Sequence, residues 1–455
     1  MGGLSRRATI IGDLDGTHVT VDAGNFAWKS GAITSERLPQ QRRKAELQLD
    51  AFALSGIDGV APGVGDLVLG VEWLKEAAAQ RQIPLLVANL TCDDQAPFEG
   101  WRRVERGGIS VGLVGVLSER RSVTGCTTSD PIAALEAAAR DLSDVDLLIA
   151  MTHTSDEEDT ALAEAVADID LIINGHARLN RTNPGALPNH ALQLSSGSRG
   201  KKLGLAEITL TPGGVGFSSA DSLDDLERKK RRAEGRLETA LENVESPPDD
   251  GAKRRAERKV RHYREELAEL DAQLVLLREM VDVPTHTLKG RLAPLDRKIS
   301  DHPQVEALLE TALAEIEAME SGAVAPLTDT PFLGSAACAG CHAEPYAQWQ
   351  RTSHARAWAT LQVEERTSDL DCFSCHATGA THPQGPQHPA QVTDALAGVG
   401  CEDCHGPGRA HVSAPAAGQM VADPPESTCV VCHDGVQDEG RFDFSTYRPR
   451  IVHGE

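Results

Sequence analysis

The sequence predicts a multidomain chain: an N-terminal α/β domain, a central antiparallel helical hairpin and a C-terminal, mainly α and irregular domain rich in Cys and His. Three observations carry this. Short apolar runs alternate with helical stretches over residues 1–218. An apolar seam of period 3.5 follows over 219–283. Four copies of Cys-x-x-Cys-His then fill the last third.

In the first zone, Val111–Leu117, Asp146–Ala150 and Asp170–Asn174 read as buried strands. Asp130–Arg140 reads as a helix with an Asp cap and Pro in its first turn. The span is long enough to bury its own core. In the second zone, Leu223, Leu226, Lys230, Ala233, Leu237, Ala240 and Val244 step by three and four. After Ser246-Pro-Pro-Asp-Asp-Gly251, the step resumes at Val260, Tyr263, Leu267, Leu270, Leu274, Leu277 and Val281. Two such seams joined by a Pro-Gly break fold back as an antiparallel pair. Its expected role is mechanical, as a spacer or a docking arm for a second copy, giving a homo-oligomer. Residues 284–330 read as a helix over 302–319 plus a linker, and 331–455 as the cofactor domain.

The four motifs are Cys338-x-x-Cys341-His342, Cys372-x-x-Cys375-His376, Cys401-x-x-Cys404-His405 and Cys429-x-x-Cys432-His433. This pentapeptide is the attachment signature of c-type haem. Two thiols add across the vinyl groups and the adjacent His ligates the iron. A zinc ribbon needs two Cys pairs per ion and no fixed His after the second Cys. Here a His follows every pair, so the motifs predict four haem c groups. Eight of the ten cysteines are thereby used, and the sequence does not pair the remaining Cys92 and Cys126.

Haem is attached outside the cytoplasm, so the expected location is periplasmic or otherwise extracytoplasmic. No signal-length apolar stretch follows Met1, and the expectation is an incomplete N-terminus. No run of about eighteen apolar residues predicts a membrane span. A net charge of −23 makes nucleic acid an unsuitable partner and suits either a basic redox partner or simple solubility.

Each iron takes a second axial ligand or stays open. Met420 is the single Met of the zone, whereas His354, His382, His388, His411 and His453 remain after the proximal four. Bis-His ligation is therefore favoured. Cys338–Trp349, Thr352-Ser-His-Ala355, Val399–Gly408 and the late His453 resemble the cytochrome c-554 family of tetrahaem electron carriers. The resemblance implies His354, His411 and His453 as distal ligands. It leaves the iron of His376 either to His382 or His388, or five-coordinate and open to a small molecule such as NO or hydroxylamine.

A second resemblance covers the first 200 or so residues. Gly2–Ala8, Val21-Asp-Ala-Gly24, Ala61–Leu74, Pro84–Asn89, Met151-Thr-His-Thr154 and Ile173-Asn-Gly-His176 are similar to the 5′-nucleotidase branch of the calcineurin-like metallophosphatases. That implies a four-layer α/β/β/α sandwich and a two-metal site activating water against a phosphate ester. The site is degraded here. Asn25 stands at the bridging Asp, Val64-Gly65 at the Asn-His pair and Arg178 at the final His, with Asp66, His153 and His176 retained. These leave too few ligands for two ions and room for one residual divalent metal at His153 and His176.

The sequence thus predicts a multihaem electron carrier with an inactive phosphatase-like domain. The alternatives are a metal-dependent phosphoester hydrolase fused to a cytochrome, and an oxidoreductase acting on a small nitrogen or sulfur compound at an open haem.

Overall fold

The computed structural model describes residues 3–28, 32–176, 185–197, 200–212, 214, 216–219, 223–246, 250–279, 286–322, 324–416, 418–434 and 441–453. The chain divides into two compact units, Met1–Leu308 and Leu309–Glu455.

The strands of the first unit are, in chain order, β1 (Val21–Asp22), β2 (Gly59–Val60), β3 (Leu90–Cys92), β4 (Trp101–Arg106), β5 (Ile109–Leu117), β6 (Cys126–Thr128), β7 (Leu147–His153), β8 (Leu171–Asn174), β9 (Gly185–Ala186), β10 (Leu192–Leu194), β11 (Lys202–Thr209), β12 (Phe217–Ser219) and β13 (His286–Pro294). A six-stranded sheet has the order β4-β5-β7-β8-β10-β9. Its inner pairs are parallel and its edge pairs antiparallel. All seven residues of β7 are buried. Burial on both faces explains the near-continuous apolar runs.

The crossover helices Pro131–Asp141 and Asp156–Ala165 begin at side-chain caps. Asp130 accepts from the Ile132 N–H, and Ser155 forms a capping box with Glu158. Their apolar stripes (Leu135, Ala138, Leu162, Ala163) pack on Val114, Val116, Leu148 and Ala150 of the sheet. The opposite face, through Leu113, Ile149, Met151 and Leu171, packs on Phe217 and Leu288 of a second sheet of order β11-β13-β12. Helix, sheet and sheet stack here, and a separate cluster packs Leu49, Phe52, Leu74 and Ala77 of the helices Leu38–Leu54 and Val71–Ala79 against Val60, Leu85 and Val87.

Residues Lys202–Thr209 pair antiparallel with Thr287–Pro294. The sequence offers no strand in 284–330. Leu288, Gly290 and Leu292 do alternate with Thr287, Lys289 and Arg291, but the hairpin separates this segment from its partner strand. The hairpin helices are Leu223–Glu245 and Asp250–Glu279. Leu226 and Ala233 meet Leu274 and Leu270, so the two run antiparallel.

In the second unit most helical segments are a turn or two long, and the apolar cluster is small: Leu370, Phe373 and Ala377, with Trp358, Ala380 and Val392 against it. Two carboxylates inside the third motif organise the loops instead. Glu402 is 2% exposed and accepts from the Leu333, Gly334 and Gly408 N–H groups. Asp403 accepts from the Gly379 and Gly400 N–H groups, and burial pushes its pKa up to about 6.

Candidate functional site

In the second unit each Cys-x-x-Cys-His folds as a tight turn. In the first and last motifs the His N–H donates to the first Cys carbonyl at 2.9 Å. Three histidine pairs result. The ring of His342 lies 6.5 Å from that of His411. His433 lies 6.2 Å from His354, and His405 lies 5.6 Å from His453. Each pair joins a motif histidine to a residue distant in sequence. His405 Nδ1 donates to the Val421 carbonyl at 2.6 Å, and His376 Nδ1 donates to the Ala357 carbonyl at 2.7 Å. That bond fixes the tautomer and leaves Nε2 as the lone-pair nitrogen. Burial, then the neighbouring His433, lowers the pKa of His354 and keeps it neutral.

His376 differs. Among the described residues no histidine ring faces it. His388 uses Nε2 on Glu320 at 2.6 Å and Nδ1 on the Ala390 N–H at 3.1 Å. His382 accepts from the Gln384 N–H and packs edge-on against Phe332. The thiols of the motifs meet across motifs. Cys338 and Cys401 share a hydrogen bond, which holds the Cys401 thiol down and Cys338 up, and a hydrogen bond with Cys375 raises Cys432. Burial pushes Cys404 up to about 11.

In the first unit the retained residues gather beyond the C-terminal ends of parallel strands: His153 ends β7, Asn174-Gly175-His176 ends and leaves β8, and Asn25 follows β1. This is where open parallel sheets carry their crevices. Asn25 adopts φ 54°, the left-handed region that Asn tolerates. Its Oδ1 accepts from the Gly65 N–H at 2.9 Å, and its Nδ2 lies 3.5 Å from His153 Nδ1. Asp66 is fully buried and accepts from the N–H groups of Asn25, Ala27 and Gly63 at 2.6–2.8 Å. Burial outweighs those donors and pushes its pKa up to about 7.

His153 is 4% exposed, and its Nε2 has no aligned hydrogen-bond partner among the described residues. Burial, then His176, lowers its pKa to about 4 against a smaller upward pull from the Ala23 carbonyl. Glycines crowd it: a Cβ on Gly24, Gly63 or Gly175 would lie 2.9, 2.6 or 2.8 Å from Nε2. His176 lies 6.3 Å from His153, ring to ring, and its Nε2 is 2.5 Å from Arg121 Nη2. Arg178 lies outside the described residues.

This donor set does not fit a pair of divalent cations. The Asn25 and Asp66 oxygens are committed to backbone N–H groups, and a guanidinium sits on His176. Among the described residues no three His, Cys, Asp or Glu side chains converge as a metal site. Arg121 was not foreseen from sequence; its only signal was an Arg-Arg pair just past a buried strand. Cys92 and Cys126, left unpaired by the sequence, form a disulfide joining β3 to β6.

Residues 337–406 match the model of the "Cytochrome c554 and c-prime" family. Among curated proteins, an apyrase of Aedes albopictus is 35% identical over 107 residues, covering 21% of this chain and 19% of its own length. The uncharacterized metallophosphoesterase YunD of Bacillus subtilis (strain 168) is 26% identical over 164 residues, covering 34% of this chain and 35% of its own. The chain thus spans between 19% and 35% of the length of these curated relatives. Two solved structures are also similar. The Thermus thermophilus sulfate thiohydrolase SoxB in complex with glycerol has a TM-score of 0.47 at 18% identity, covering 72% of this chain and 49% of that one. A 5′-nucleotidase precursor from Thermus thermophilus has a TM-score of 0.46 at 15% identity, covering 71% of this chain and 55% of that one. The C-terminal region is therefore similar to the cytochrome c554 family, and the N-terminal region to the 5′-nucleotidase and calcineurin-like metallophosphatases.

Proposed function

We propose that this chain is a multihaem c-type cytochrome that carries electrons through four haems attached at the pairs Cys338/Cys341, Cys372/Cys375, Cys401/Cys404 and Cys429/Cys432. The observation that carries the reading is the spacing of the histidine pairs. With metal–imidazole bonds of about 2 Å on both sides of one iron, two ring centroids stand about 6 Å apart. The three pairs measure 6.5, 6.2 and 5.6 Å. The residues present therefore fit iron held by His342 with His411, His433 with His354, and His405 with His453.

Haem held by these histidines would supply one-electron transfer. The protein's part is to hold the ligands. The carbonyls of Ala357 and Val421 orient His376 and His405, and neutral His354 is ready to ligate. Two imidazoles per iron give lower potentials than a His/Met pair. Residues 1–308 serve in this reading as a domain that does not hydrolyse phosphoesters, because its donors cannot hold two cations. An extracytoplasmic location is supported by the attachment motifs and by the Cys92–Cys126 disulfide. Among the described residues no helix is long and apolar enough to cross a membrane.

A second reading rests on His376, which lacks a facing imidazole. An open iron there would bind a small ligand and make the protein an oxidoreductase. One sample tests both readings. The matured chain is expected to gain the mass of four haems and to show a low-spin Soret band with one carbon-monoxide-binding haem. No mass gain removes the cytochrome reading, and no carbon monoxide binding removes the open site. Turnover of a nucleotide or phosphodiester with added manganese, above a metal blank, would reinstate the hydrolase.

A further inference from the structure

The tip of the helical hairpin carries charges and apolar side chains that its own fold leaves unused. At the base, Lys230 pairs with Asp271 across the two helices at 2.5 Å, and Leu226, Leu270 and Leu274 are buried. Toward the tip the seam shrinks to small residues, Ala240 and Ala256, beside Val260. Leu241 is pushed outward and is 38% exposed. It forms, with Val244, Val260 and Ala268, the wall of a groove of about 680 Å³ between the helices.

Arg261 and Arg264 rim this groove together with Glu257 and Glu265. Neither has a carboxylate partner among the described residues, and neither do the exposed Glu238 and Glu242 on the other helix. The charge is segregated. Residues 253–264 hold Lys253, Arg254, Arg255, Arg258, Lys259, Arg261 and Arg264 against one acid, Glu257. Residues 234–245 hold Glu234, Glu238, Glu242 and Glu245 against one base, Arg236. Such a surface is self-complementary under a two-fold axis, the condition for an isologous dimer.

We propose that the hairpin tip is a dimerisation surface whose occupant is the tip of a second copy of this chain. The acidic helix of each copy lies along the basic helix of the other. Leu241 and Val244 enter the partner groove, and Glu238 and Glu242 face Arg261 and Arg264. The four helices then bury the apolar strip that either hairpin alone leaves in water.

The test is the mass of the haem-loaded full chain by light scattering and sedimentation, with helix content by circular dichroism as a folding control. The parent is expected to be a dimer that weakens as salt rises. Arg261→Glu with Arg264→Glu is expected to weaken association at least about tenfold, as like charges meet across the interface. Glu238→Arg with Glu242→Arg should do the same, and joining both pairs in one chain should restore the dimer. A monomeric parent, a dimer indifferent to the Arg substitutions, or no recovery in the combined chain would overturn the proposal.

Discussion

His153 gives the most direct handle on the N-terminal pocket. Its ring is buried and neutral, with a pKa lowered to about 4 from an unfolded value of about 6.5. Below the unfolded value the unfolded chain takes up a proton that the folded chain refuses. The stability contribution is therefore fully present above pH 6.5 and is lost as pH falls through the gap between the two values. The gap is worth about 3 kcal/mol, of which roughly 2 kcal/mol is gone by pH 5. Asp66 opposes it. Its pKa, raised to about 7, makes the folded state gain stability as pH falls from 7, so the parent shows a flattened profile. His153→Gln removes one arm. The variant is expected to be less stable at pH 7.5 because the glycine cradle is imperfectly filled. Between pH 7.5 and 5 it should gain about 2 kcal/mol relative to the parent. Urea unfolding at the two pH values, followed by tryptophan fluorescence, reads the difference. Parallel profiles for parent and variant would refute the assignment of a neutral, proton-refusing His153.

Three other outcomes are expected. His411→Ala should add one carbon-monoxide-binding haem to the reduced holoprotein, read as a Soret change; an unaltered titration would detach His411 from the iron of His342. Gly175→Ala should cost about 1–3 kcal/mol, because its Cβ would stand 2.0 Å from the Ala23 carbonyl oxygen; equal urea midpoints would contradict the close approach. Cys92→Ser with Cys126→Ser opens a loop of sequence separation 34. It should destabilise the first unit by about 4 kcal/mol on the chain-entropy argument, checked by the same urea titration.

Local signals reached the elements whose cause is local. The runs at Val111–Leu117 and Asp170–Asn174 and the Asp130-Pro131 helix start needed nothing beyond their own residues, and the structure has them. The Cys-x-x-Cys-His spacing was equally self-contained. What escaped depended on chain far away. The strand His286–Pro294 acquires meaning only beside Lys202–Thr209. Arg121 matters only because its loop brings it to His176. Cys92 and Cys126 become partners only once β3 and β6 pair. The two-unit division after Leu308 likewise reflects packing that composition does not record.

The loop bearing Arg121 is anchored at both ends. Asn89 grips the Leu117 carbonyl and N–H at its start, and Cys126 is stitched to Cys92 at its finish. A structural sulfur–sulfur bond forms and persists most readily in an oxidising environment. The arginine that meets His176 is therefore clamped between two fixed points wherever this disulfide is formed. In the cytochrome reading proposed above, the oxidising compartment that closes this disulfide is also the one in which haem would be attached.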